Sequence, residues 1–291
     1  MNYSATRIYK CVKESYRLAK QRLPAYSGKF SKRRYTLHQH MALLCLKAKL
    51  GRGFEEVEEL AVNMPHVCAA LELGDDVPDG STLCRQFHRL KPSVLLILMV
   101  LAAGMLPGSG KAAIDATGFD RRHCSKHYVK RAKLHIGSLK VTFVVDTVSQ
   151  MILALHTTAT RKHDTRILPP TIRKTRQHVD IEVLAADKGF DAKPIRDWLR
   201  KIGVRPLIKH REFTALDKAH NARIKKDDYN QRVKTETVNS SIKRKYTDTL
   251  TTKTYWNQVR EIHLIALVYN IERAITRSLE RIAIKLLFFV V

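Results

Sequence analysis

The tetrapeptide Pro107-Gly108-Ser109-Gly110 divides the sequence into two stretches of different apolar period, which limits the fold more than any other feature. Before it, apolar residues recur at helical spacing. Thr36 to Leu50 puts Leu37, Met41, Leu44, Cys45 and Ala48 on one stripe, and Gly51 and Gly53 stop that helix. Glu55 to Asn63 predicts a short acidic helix burying Val57, Leu60 and Ala61. Val77-Pro78-Asp79-Gly80 predicts a turn, after which Ser81 caps a helix through Leu83, Phe87 and Leu90. Val94 to Leu106, the longest apolar run, is too short to span a bilayer and reads as a buried helix.

After the break, short apolar strands alternate with helices. Lys111 to Thr117 predicts a strand, and Val141 to Thr147 with Met151 to Thr158 predicts a hairpin around Val148-Ser149-Gln150. Thr165 to Gln177 is helical but disturbed by Pro169-Pro170. Ile181 to Ala186 is a strand, Pro194 to Ile202 a helix, and Val204 to Ile208 a strand. Helices follow from about Asp228 to Tyr246 and from Tyr255 to Leu287. This order predicts an α/β domain of the RNase H-like kind, a mixed five-stranded sheet with flanking helices, preceded by a small all-helical domain. The boundaries drawn are 1–106 for a helical, basic, DNA-binding or dimerising region, 107–272 for the sheet domain, and 273–291 for a helical tail. The N-terminal helices suit a helix-turn-helix DNA reader and a dimerising bundle equally well.

Charge narrows the partners. Lys and Arg number 53 against 27 Asp and Glu, a formal charge of +26, while 44% of residues are hydrophobic. That apolar content excludes wholesale disorder, and a folded chain of this charge seeks polyanions, nucleic acid first. The charge is uneven. Residues 1–34 hold ten Lys or Arg and one acid, Glu14, whereas 53–84 hold eight acids and neither Lys nor Arg. The five scattered cysteines, Cys11, Cys45, Cys68, Cys84 and Cys124, contain no C-x-x-C pair. They fit neither a zinc ribbon nor a disulfide framework, and suit a reducing cytosol. No signal peptide opens the chain. The expectation is a cytoplasmic, nucleoid-associated protein without a membrane partner.

Three carboxylates stand out by placement. Asp115 sits inside the apolar strand Ala112-Ala113-Ile114-Asp115-Ala116-Thr117, where an unpaired charge is costly. Asp187 closes the strand Val183-Leu184-Ala185-Ala186-Asp187, at the carboxyl end where open sheets bind ligands. Glu236 lies on the helix after the last strand. Carboxylates so placed can converge on two divalent ions about 4 Å apart, which serve phosphoryl transfer, and oxygen ligands suit Mg²⁺ or Mn²⁺. Other acids have plainer readings. Asp146 forms the hairpin turn, Asp191 caps the next helix, Asp120 makes a solvated pair among arginines, and His163-Asp164 caps a helix start. At roughly 100° per residue, Tyr229, Arg232, Glu236 and Lys243 fall within about 60° of one helix face. Such a mixed polar stripe suits a metal ligand flanked by phosphate contacts, while Arg232 and Glu236 also make an ordinary i,i+4 pair.

These residues resemble the DDE transposases of prokaryotic insertion sequences, in the group marked by a Y-x2-R-x3-E-x6-K signature. Tyr229, Arg232, Glu236 and Lys243 match that spacing at all four positions. Ile114-Asp115-Ala116-Thr117-Gly118-Phe119 looks like the first-aspartate strand, and Ala186-Asp187-Lys188-Gly189-Phe190-Asp191 like the second-aspartate motif. The likeness runs from about 80 to 272 and includes the Pro78-Asp79-Gly80-Ser81-Thr82-Leu83 turn. It implies that Asp115, Asp187 and Glu236 bind the metals and do the catalysis, and that Tyr229, Arg232 and Lys243 contact DNA. The implied reaction is hydrolysis at the element's ends followed by attack of the freed 3′-OH on target DNA. The implied partners are terminal inverted repeats, target DNA and a second copy of the chain in the synaptic complex. Asp187 and Glu236 are only 49 positions apart, too close for the β-rich insertion of some relatives, which puts a hairpin intermediate in doubt. A host repair or recombination nuclease of RNase H-like type, and a non-catalytic DNA-binding remnant, are the alternatives.

Overall fold

The computed structural model describes residues 6–74, 76–121, 126–131, 137–160 and 162–289, with backbone alone for 126, 128, 129 and 281–289. Asp75 and Cys124 lie outside the described residues. Helices α1 (Arg7–Arg22), α2 (Leu37–Leu50), α3 (Phe54–Val62), α4 (Pro65–Ala70), α5 (Gly80–Arg89) and α6 (Pro92–Ala103) precede the first strand. Then follow β1 (Lys111–Phe119), α7 (Lys126–Arg131), β2 (Leu139–Asp146), β3 (Ile152–Thr158), α8 (Asp164–Thr175), β4 (Val183–Ala186), α9 (Lys193–Lys201) and β5 (Arg205–Ile208). Helices α10 (Ala215–Arg223), α11 (Lys226–Asn230), α12 (Val233–Lys245) and α13 (Tyr255–Phe289) complete the chain.

Two compact units form, one from 1–105 with 259–291 and one from 106–258. In the helical unit, α2 is buried from His38 to Leu46 rather than along one stripe. Thr36 and Gln39 make a capping box at its start, and Gly51 ends it at φ 64°, the left-handed turn that glycine adopts without strain. Asp79, not Ser81, caps α5: its carboxylate accepts from the Thr82 N–H at 2.7 Å and from both the Ser81 and Thr82 hydroxyls. The sequence drew the sheet domain on to 272, but the chain from Val259 onward clusters with the helices. Asn270 donates to the Met99 carbonyl at 3.1 Å and Arg260 to the Leu90 carbonyl at 2.6 Å, while Lys49 pairs with Glu272. The long apolar run is α6, whose Leu95, Leu98, Met99 and Ala102 are fully buried. Among the described residues no single helix is long and apolar enough to cross a membrane.

The sheet unit orders its strands β3-β2-β1-β4-β5. β1 and β2 pair antiparallel, as do β2 and β3, while β1, β4 and β5 run parallel. Ala113, Ala185 and Leu207 lie abreast across the three parallel strands and pack as one small core. Pro206 is tolerated because β5 is an edge strand. α8 runs through Pro169 and Pro170 without a break in its assignment. The sequence missed α10, which lies in a polar stretch and buries no residue.

Asp146 is the turn former expected. Its carboxylate is buried and accepts from the Ser109 N–H at 2.8 Å and from the N–H groups of Val148 and Ser149 at 3.0 and 2.7 Å. It also accepts from the hydroxyls of Ser109 and Ser149. The β2–β3 turn and the segment entering β1 are thus tied to one side chain. Asp146→Ala leaves those N–H groups without an acceptor and should cost about 2–4 kcal/mol in chemical denaturation. A loss below about 1 kcal/mol would show that the turn holds without it.

Candidate active site

The register of the parallel strands builds the site. Ile114 lies opposite Ala186, so the next residues along, Asp115 on β1 and Asp187 just past β4, come side by side at neighbouring strand positions. A single 3-10 turn, Lys188–Phe190, follows Asp187 and leaves its side chain exposed. α12 packs on β1 and β2 through Thr235, Val238 and Ile242. That packing puts Asn239 against β1, where its side-chain N–H donates to Asp115 at 3.0 Å. Glu236, one turn earlier, is exposed, and its carboxylate pairs with Arg232.

Asp115 is the electrostatic centre. Burial pushes its carboxyl up from the ordinary 3.8 to about 6, opposed by the Ala116 N–H; the charges of Glu236 and then Asp187 push it up further, opposed by Arg232. The charges of two further acids therefore reach Asp115. The donor set is oxygen only, which suits a hard dication. Among the described residues, no three His, Cys, Asp or Glu side chains stand close enough together to hold an ion as they are. Glu236 faces Arg232, and only its release from that pair would let it join the two aspartates.

The signature residues do not share one helix. The sequence predicts a continuous helix from about Asp228, but the chain breaks between α11 and α12 at Gln231 and Arg232. Tyr229 ends up on α11 with its ring buried, and burial raises its pKa. The Lys209 ammonium lies 4.5 Å and the Arg232 guanidinium 5.4 Å from the centre of that ring, within cation–π range. Lys243, two turns beyond Glu236, lies 5.4 Å over the Phe119 ring. It lines an open recess of about 510 Å³ with Thr117, Asn239, Ser240, Arg244 and Asp248. The i,i+4 pair of Arg232 and Glu236 forms as helix spacing requires.

Two neighbours were not among the residues singled out from the sequence. Asn239 falls at i+3 from Glu236 and i−4 from Lys243, so the helical period could have found it. Gln231, whose side chain accepts from the Thr147 hydroxyl at 2.7 Å, could not be singled out from spacing. Asp191 does not cap α9; Ala192 holds that position. Asp191 pairs with Arg196 instead and accepts from the Arg211 N–H at 2.9 Å. His163 does cap α8, its ring nitrogen accepting from the Thr165 N–H. Asp120 joins Thr249 in an isolated backbone bridge.

The strand order, two antiparallel pairs joined to three parallel strands, is that of an RNase H-like domain. Residues 107–271 match the family described as the transposase DDE domain, and the chain belongs to that family. It is a DNA transposase, and members of the family use divalent metal ions. A cryo-EM structure of the piggyBac transposase synaptic complex with hairpin DNA shares the fold. Its TM-score is 0.50 at 11% identity, over 97% of this chain and 74% of that one. No curated protein matches the sequence significantly.

The raised pKa of Asp115 has a consequence for stability. The folded state holds this proton more tightly than the unfolded chain, so wild-type stability falls as pH rises from about 4 through about 6. Asp115→Asn removes the repulsion and keeps an acceptor for Asn239. In the absence of divalent ions it should raise stability by about 2 kcal/mol or less at pH 7.5, with the gain shrinking toward pH 4. Melting temperatures across that range check it, and a constant difference would refute the titration.

Proposed function

We propose that the chain cuts DNA at the ends of an insertion sequence and joins the freed 3′-OH to target DNA, with Asp115, Asp187 and Glu236 as the metal-binding, catalytic residues. The single observation that carries this is the register of β1 on β4, with α12 laid across β1. It sets two acids abreast and a third on the adjoining helix. Two Mg²⁺ or Mn²⁺ ions would be held there by Asp115, Asp187 and Glu236. When bound, such ions activate the attacking oxygen and offset charge on the leaving oxygen.

The protein's own residues do the rest. Asn239 fixes one oxygen of Asp115. Asp115 must shed its proton to bind a dication, a step that neutral pH favours. Arg232 neutralises Glu236 in the free protein, and its guanidinium, once released, would face the phosphate flanking the scissile bond. Tyr229 is the platform that orients Arg232, with both Lys209 and Arg232 over its ring. Lys243, above the Phe119 ring, neutralises a further phosphate on the DNA entering along α12. The DNA partners are the terminal inverted repeats and the target duplex, and two copies of the chain pair the ends in a synaptic complex. We place this work at the cytoplasmic nucleoid.

The test is strand transfer with DNA carrying the element's ends. Asp115→Ala, Asp187→Ala and Glu236→Ala should each abolish cleavage and transfer, and each should reduce the thermal stabilisation that Mn²⁺ gives the wild type. Wild-type transfer in any one variant removes that residue from the site. Arg232→Ala and Lys243→Ala should lower transfer at least tenfold and leave Mn²⁺ stabilisation in place. Unchanged transfer in both would return Arg232 to a simple surface partner of Glu236, worth a few tenths of a kcal/mol, and would favour a host nuclease over a transposase site.

A further inference from the structure

The turns that leave β4 and β5 meet the first turn of α8 around an open recess of about 520 Å³. Lys162, His163, Thr165, Arg166, Asp191 and Arg211 line it. The recess adjoins Asp187. Arg211 donates to the carbonyl of Lys188, the next residue, at 3.4 Å, and α8 packs on the Lys188–Phe190 turn. α8 also packs on β2 and β3, whereas α12 packs on β1 and β2. Helices side by side on one face need 8–10 Å between their axes, about twice the strand spacing, so these two cover opposite faces of β2. The cations of the recess therefore reach Asp187 from the face that α12 does not cover.

The donors of this recess call for an anion. As it caps α8, His163 accepts from the Thr165 N–H at Nδ1, at 3.3 Å, so the neutral ring carries its proton on Nε2. That nitrogen lies 3.5 Å from a guanidinium nitrogen of Arg211, a group made of donors only. Two N–H groups thus face each other with no acceptor between them, and an oxyanion beside both accepts from each. Lys162 and Arg166 add two exposed cations to the same recess. Neither they nor the Arg211 guanidinium has a carboxylate partner among the described residues. The acids of these turns are paired elsewhere: Asp164 with Lys140 at 2.6 Å, Glu212 with Lys188 at 3.0 Å, and Asp191 with Arg196.

A DNA phosphate suits this set, since arginine forks onto phosphate oxygens and lysine neutralises them as a point charge. Such contacts fix the position of a duplex without reading its sequence. Strand transfer brings two duplexes to one pair of aspartates. α12 carries Arg232 and Lys243 for the cut end, and the second duplex needs a hold of its own.

We infer that Arg211, His163, Arg166 and Lys162 grip a backbone phosphate of the target strand beside Asp187. The inference rests on the transposase reading and deepens it, because it separates the hold on the target from the hold on the cut end.

The experiment uses the full-length protein, DNA carrying the element's ends and a plain duplex of unrelated sequence as target. With ends already cut, Arg166→Ala and Arg211→Ala should each raise the target concentration for half-maximal transfer about tenfold, the loss of one charge-assisted hydrogen bond. Cleavage of uncut ends and the melting temperature should stay at the wild-type values. Arg166→Lys, which keeps the charge, should restore most of the target use. An unchanged target requirement in both alanine variants overturns the inference. Equal losses in cleavage and transfer put the phosphate on the end DNA and overturn it too. If the wild type transfers no strand, the transposition reading falls, and binding of the plain duplex without metal decides the recess alone. There the double variant Arg166→Ala with Arg211→Ala should lower the slope of log affinity against log salt by about one. That result keeps the phosphate grip, and a slope equal to wild type overturns it.

Discussion

A carboxylate at Asp115 is held against its own solvation by the strand that carries it. β1 pairs on both sides, antiparallel to β2 and parallel to β4, and so cannot move the side chain out to water. Asp187 is fixed beside it by the same hydrogen bonds, because Ile114 and Ala186 are register partners. Burial, with the nearby acids, raises the energy of the charged Asp115, and the folded protein carries that cost until a cation or a proton offsets it. The remaining features answer this charge: Asn239 holds one oxygen of Asp115, and Arg232 occupies Glu236.

The pair of Arg232 and Glu236 turns the third acid toward a guanidinium. In the function proposed, Glu236 would leave that pair for the ions and Arg232 for DNA phosphate, and an exposed ion pair is itself worth little. The break between α11 and α12 matters for the same reason. It buries Tyr229 beneath the Arg232 guanidinium and leaves Arg232 at the start of α12.

Much of this was legible in the sequence because strands and amphipathic helices declare themselves by period. Lys111 to Phe119 and Leu139 to Asp146 are apolar runs, and Asp115 is conspicuous as a charge within one. Four of the six helices before β1 were legible for the same reason, as was Asp146 as a turn former. The misses have physical causes too. Asp79 won the cap of α5 because a carboxylate two residues before Ser81 can accept from three donors at once. Residues Tyr229 and Arg232 match the spacing of one helix, yet the chain turns between them, and no pattern of residue types marks that break. The C-terminal helix left the sheet domain through single contacts such as Asn270 with Met99, far apart in sequence. Asn239 was overlooked since a neutral amide is conspicuous only once its partner is known.

The central claim is that the acids beside β1 hold the ions used in strand transfer, and Asp187, exposed and free of other tasks in the fold, tests it most directly. Replacing it with cysteine changes a hard oxygen ligand to a soft thiolate, which Mg²⁺ binds poorly and Mn²⁺ accepts better. With DNA ends already cut, Asp187→Cys should lose strand transfer in Mg²⁺ and regain much of it in Mn²⁺, relative to wild type in each ion. Equal transfer in both ions, or an equal and complete loss in both by a protein of unchanged melting temperature, would contradict a metal-holding role for Asp187.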